Sequence, residues 1–182
     1  MKEKIDLKKI TIKKLAGLIS QTLNEHGIDS ILVGGACVSI YSENRYQSYD
    51  LDFVTYEDEK KVAKALGVLN FQKKGKYFSN PHCAFIIEFV APPVSVGDEP
   101  IHHFEYRETP LGVIKMLTPT DSVKDRLASF YHWDDTQSLS QAIAVCREQD
   151  INMREIKRWS KKEGYAEKFE QFQAEVVRNE RS

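Results

Sequence analysis

The chain has 182 residues, 41% of them hydrophobic and 29% charged. That composition suits one ordinary globular domain, or a domain with a small appendage, and excludes a disordered or fibrous chain. Lys and Arg total 26 against 27 Asp and Glu, so the net charge of −1 supplies no bulk attraction to nucleic acid. Three widely spaced cysteines, Cys37, Cys83 and Cys146, suit free thiols in a reducing compartment better than a disulfide framework. No run approaches the ~20 apolar residues of a membrane span. No apolar stretch of signal-peptide length follows the basic start MKEKIDLKKITIKK, so a cytoplasmic protein without membrane contact is expected.

The first predicted element is a helix over about Thr11 to His26, with Leu15, Leu18, Ile19, Thr22 and Leu23 on one stripe and Gly27 as its cap. The run SILV predicts a short strand ending at Gly34-Gly35, and ACVSIYSE then makes two helical turns. The alternation in YDLDFVTY predicts a second strand, and EDEKKVAKALGVL a helix with Val62, Ala65 and Leu66 facing inward. The middle of the chain reads as β-structure. KKGKYFS is a turn and a short strand, and HCAFIIEFVAP a strand stopped by Pro92-Pro93. SVGDEP is loop, and IHHFEYRE and LGVIKML form a hairpin around Thr109-Pro110.

From Thr118 the pattern is helical. Thr118 is an N-cap, Pro119 the first helical residue, and Asp121 reaches back. A second helix covers about Thr136 to Glu148. A third is capped by Asn152 with Glu155 completing a capping box, and a last one starts near Tyr165. The expected organisation is an α/β region over residues 1–117 and a helical region over 118–182 packed on it. The fold class is α+β (α/β), with a short mixed sheet flanked by helices.

Chemistry concentrates in residues 31–54. In a strand, Asp50 and Asp52 project from one face while Leu51 and Phe53 face the other. Two neighbouring carboxylates repel, and a divalent cation relieves the repulsion. A solvated strand face is the plainer reading. Gly34-Gly35 between a strand and a helix suits close approach of phosphates, although an ordinary tight turn has the same sequence. It is neither a Walker loop nor a Rossmann fingerprint. Glu88 stands in the apolar strand AFIIEFVAP, where an unpaired carboxylate is costly. Beside the aspartate strand it completes a three-carboxylate cluster; otherwise it pairs with a buried Arg or Lys. His82, Cys83, His102 and His103 match no structural zinc spacing.

VGG before a helix, then SYDLDF and a later strand acid, resemble the nucleotidyltransferase fold of the DNA polymerase β superfamily. Within it the chain is most similar to small bacterial members of the abortive-infection toxin type, an AbiEii-like likeness covering roughly Ser30 to Leu139. The resemblance implies that Gly34 and Gly35, with the Ser39 hydroxyl, hold the phosphates of an NTP such as ATP. It implies two Mg²⁺ ions on Asp50, Asp52 and Glu88, with Glu88 helping to activate the attacking hydroxyl. Arg45 and Ser48 stand just before the aspartate pair as such members place an arginine and a Ser or Thr, and Lys124 is carried over as a nucleotide contact. Gly35 replaces the serine of many members, and Glu88 the commoner aspartate.

The implied activity is transfer of NMP to a hydroxyl of a protein, an RNA or a small molecule. Toxin, antitoxin and housekeeping roles all stay open. The alternative is a catalytically inactive member that binds nucleotide or a partner protein, and a phosphohydrolase using the same acids is a third reading.

Overall fold

A computed structural model describes residues 5–181; Met1–Lys4 and Ser182, the outer ends of the two expected regions, lie outside the described residues. The chain divides into two compact units. One comprises Met1–Ala36, Ser48–Pro93 and Phe104–Met116, the other Cys37–Gln47, Val94–His103 and Leu117–Ser182.

The first unit is built on a seven-stranded mixed sheet. Its strands are β1 (Ile31–Val33), β2 (Asp50–Val54), β3 (Gln72–Lys74), β4 (Tyr77–Ser79), β5 (Ile86–Val90), β8 (Phe104–Thr109) and β9 (Gly112–Leu117), in the spatial order β3-β4-β5-β2-β1-β9-β8. β1 runs antiparallel to β2 and parallel to β9, and β2 runs parallel to β5. One face is dry: Leu51, Phe53 and Ile87 are fully buried. Helix α1 (Ile12–Glu25) places Leu15, Ala16, Ile19 and Leu23 at zero exposure, and α3 (Glu59–Gly67) buries Val62, Ala65 and Leu66. Thr11 caps α1, accepting from the Lys14 backbone N–H at 3.4 Å, and Asp58 caps α3 through Lys61. The expected strand in KKGKYFS is a hairpin of β3 and β4.

The second unit is mostly helical: α4 (Pro119–Trp133), α5 (Thr136–Glu148), α6 (Met153–Lys162) and α7 (Ala166–Glu180). Thr118 caps α4 as its sequence demands, and α5 has the limits its pattern predicts, with Asp135 accepting from Gln137 and Ser138. The core gathers Leu127, Val145, Trp159, Phe169 and Phe172, and Tyr131 stacks on Trp159 and Tyr165. The SVGDEP stretch, expected as loop, is a small hairpin of β6 (Ser95–Val96) and β7 (Glu99–Pro100). Gly97 opens its two-residue turn at φ 57, a left-handed conformation that glycine adopts without strain. Helix α2 (Gly35–Tyr41) follows β1 directly.

No helix among the described residues is long and apolar enough to cross a membrane.

Candidate active site

The register of the first unit fixes the site. Val33 lies opposite Asp52, Asp52 opposite Glu88, and Glu88 opposite Tyr77. Residues paired across strands share a face, so Asp52 and Glu88 stand side by side with Asp50 two residues along β2. Asp50 is exposed, and Asp52 and Glu88 are half-buried. Ser48, itself buried, shapes the entry to β2: its hydroxyl donates to the Asp50 carbonyl at 3.0 Å and accepts from the Asp50 N–H at 3.3 Å. The aspartates therefore come off a braced strand end rather than a loose loop.

Gly34 explains why glycine ends β1. Its φ of +69° is in the left-handed region, and a Cβ added there would lie 2.6 Å from Asp52 Oδ2. Any side chain would push the carboxylate off its position. The Gly34-Gly35 turn and the aspartate strand are thus one packed unit, which the sequence shows only as two neighbouring motifs.

The remaining predicted residues belong to the second unit. Ser39 is fully buried on α2. The Arg45 guanidinium donates from Nε to Glu148 Oε1 at 2.6 Å and lines a cavity of about 580 Å³ between α5 and α7. Lys124 is 2% exposed, and its ammonium lies 2.8 Å from Glu155, 3.4 Å from Asp121 and 3.4 Å from Glu99. Burial works against its charge, but the hydrogen bond to Glu155 and the attraction of the three carboxylates outweigh it and raise the Lys124 pKa. The hydrogen bond from Arg158, joined by that from Lys124, carries the Glu155 pKa down to about 2. Glu155 does not close the expected capping box: its carboxylate is drawn to these cations, and the Asn152 N–H donates to Thr120 Oγ1 at 3.0 Å instead.

Sequence reasoning overlooked two features. Arg126, two residues past Lys124, is a largely buried guanidinium held by Asp125 at 2.5 Å, with Cys37 of α2 in electrostatic reach. Its signal was the second cation in VKDR. The other is Tyr77, brought beside Glu88 by a pairing that no local pattern encodes.

No protein-family model matches the chain, and no curated protein matches its sequence. Solved structures match it in shape. An antigenic nucleotidyltransferase-like protein from Paracoccidioides brasiliensis superposes with a TM-score of 0.54 at 14% identity, over 75% of each chain. The antibiotic-resistance factor ANT(2'')-Ia, a solution structure, gives 0.50 at 13% identity over 97% of this chain and 99% of that one. The chain has a nucleotidyltransferase fold. Such distant likenesses carry the fold and leave the substrate to be argued from the site.

Among the described residues, no three His, Cys, Asp or Glu side chains are gathered so as to hold a metal ion. The donors still suit a hard divalent cation. They are carboxylate oxygens on one face, and among the described residues neither Asp50 nor Glu88 has an ion-pair partner. Mg²⁺ takes one or two carboxylates and completes its shell with water and substrate phosphates, so a protein cage of three ligands is not a requirement.

Proposed function

We propose that this chain is a Mg²⁺-dependent nucleotidyltransferase that moves NMP from an NTP to a hydroxyl acceptor on a small molecule, an RNA or a protein. The observation that supports it best is the register Asp52 opposite Glu88 with Gly34 packed against the Asp52 carboxylate. Asp50 and Glu88, which have no ion-pair partner among the described residues, beside a turn in which any Cβ would crowd the Asp52 carboxylate, suit a site that receives phosphates and their metal together.

Asp50, Asp52 and Glu88 would hold Mg²⁺, two ions in the full reading, and the bound metal would supply charge neutralisation at the α-phosphate. Ser48 keeps Asp50 in place. Glu88, beside Asp52, is the base that receives the proton of the attacking hydroxyl. Gly34 and Gly35 leave room for the β- and γ-phosphates. Ser39, Arg45 and Lys124 are proposed as further nucleotide contacts; Arg45 and Lys124 would each have to give up a carboxylate partner. The division into residues 1–117 and 118–182, and a cytoplasmic location, belong to the same proposal.

The test is incubation with each α-labelled NTP, Mg²⁺ and separate pools of RNA, protein and small hydroxyl compounds, reading label transfer and pyrophosphate. Label on one pool, with pyrophosphate released in equal amount and both lost in Asp50→Asn, is the expected result. Inorganic phosphate without labelled acceptor would make it a phosphohydrolase. Nucleotide binding without any product would leave the inactive module.

A further inference from the structure

The row of side chains that contains Asp52 and Glu88 does not stop at Glu88. Tyr77 is paired with Glu88, and Lys74 is paired with Tyr77 across the β3–β4 hairpin. Val33, Asp52, Glu88, Tyr77 and Lys74 therefore form one continuous line over five strands, all on the same face. Adjacent strands lie about 4.8 Å apart, so the Tyr77 ring stands one strand from Glu88 and two, about 10 Å, from Asp52.

Both outer members are uncommitted. Tyr77 is 38% exposed, no other aromatic ring packs on it, and its hydroxyl has no hydrogen-bond partner among the described residues. Lys74 is exposed and, like Lys76 in the adjoining turn, makes no ion pair among the described residues, whereas Lys73, on the other face of β3, is tied to Glu59. An aromatic face followed by an ammonium is the chemistry that takes a planar base and its phosphate together.

We propose that Tyr77 and Lys74 form a nucleotide-binding shelf at the outer end of the carboxylate row. A nucleobase stacks on Tyr77, and Lys74 holds a phosphate of the same nucleotide. The proposal rests on the nucleotidyltransferase reading for its role, and the ligand chemistry has two sources: the donor NTP, or a nucleotide that carries the acceptor hydroxyl.

Binding is tested on the full chain by NMR of the Tyr77 ring protons, assigned with Tyr77→Phe, during titration with AMP, adenosine and ribose 5-phosphate. Upfield shifts with AMP, weaker ones with adenosine and none with ribose 5-phosphate are expected, and Lys74→Ala should weaken AMP about 10-fold while leaving adenosine unchanged. Tyr77 resonances that ignore AMP at millimolar concentration overturn the shelf, whether or not the protein transfers nucleotides. Resonances that respond while no transfer occurs keep the shelf and sink only the enzyme reading. Where transfer occurs, kinetics separate the sources. Tyr77→Leu should raise KM about 10-fold, for the NTP if the shelf holds the donor or for a dinucleotide acceptor if it holds the acceptor, with kcat little changed and Tyr77→Phe near wild type. Both KM values unchanged in Tyr77→Leu would show that Tyr77 and Lys74 merely cover the β3–β4 hairpin.

Discussion

Each unit of this protein sets carboxylates close to one another, and the two sets are treated differently. In the second unit Glu99, Asp121 and Glu155 are neutralised from within: Lys124 is in reach of all three, Arg158 donates to both oxygens of Glu99 at 2.9 Å, and Lys162 adds a third cation at 3.5 Å. In the first unit Asp50 and Glu88 have no such partner among the described residues, and Asp52 has a glycine pressed against it. Partly buried acids that a fold matches with its own cations hold helices and a hairpin together; under the proposed function, Asp50 and Glu88 would take their countercharge from a ligand.

Substitutions should separate the two sets cleanly. Asp50→Asn or Asp52→Asn is expected to lower nucleotidyl transfer by about a thousand-fold, roughly 4 kcal/mol of transition-state stabilisation, while the melting temperature stays within a degree or two of wild type. Melting that falls with activity would make these aspartates structural. Lys124→Ala is the mirror case. It opens a buried hole, takes from Asp121 its one ion-pair partner among the described residues, leaves Glu99 and Glu155 to Arg158 and Lys162, and should cost about 3 kcal/mol in urea unfolding. A stability loss well under 1 kcal/mol would show that the cluster holds little together, and would favour Lys124 as a ligand contact.

Gly34→Ala comes next in size and touches both stability and site. The left-handed backbone alone costs an alanine about 1–2 kcal/mol, and the added methyl displaces the Asp52 carboxylate, so stability and Mg²⁺-dependent nucleotide binding should fall together. Binding that survives while stability falls would separate the turn from the site.

Acid provides the mildest comparison. Glu155 titrates near 2 in the folded chain against an ordinary value of 4.5, so its stabilisation is fully present above pH 4.5 and drains away as pH falls toward 2. The wild type should therefore lose melting temperature more steeply than Glu155→Gln over that window. Parallel curves would remove Glu155 from the account.

Much of this was readable from the sequence where the signal is local. Thr118 and Asn152 cap helices as their spacing predicts, and the alternation of Asp50, Leu51, Asp52 and Phe53 gives the two faces of β2 correctly. The hairpin in SVGDEP escaped because its strands are two residues long, although Gly97-Asp98 is a turn signal in its own right. The fate of Glu155 escaped because its competitors, Lys124 and Arg158, outbid the local backbone N–H, and spacing alone does not rank charges. Tyr77 and Lys74 escaped because register is long-range. A strand pattern tells which residues share a face within one strand, and only pairing tells which strand lies alongside.

The central position of β1 bears on how the chain acquires its shape. Leu32 pairs on one side with Phe53, close by in sequence, and on the other with Met116, far along it. During synthesis the β1–β2 pair can form early, but the other flank of β1 must wait until β9 has emerged. Until then its N–H and C=O groups face solvent as an open edge able to recruit strands from other chains. A fragment ending before Gly112 should therefore accumulate as aggregate rather than as a smaller folded protein, and the nascent chain is most exposed to chaperone capture over that same interval.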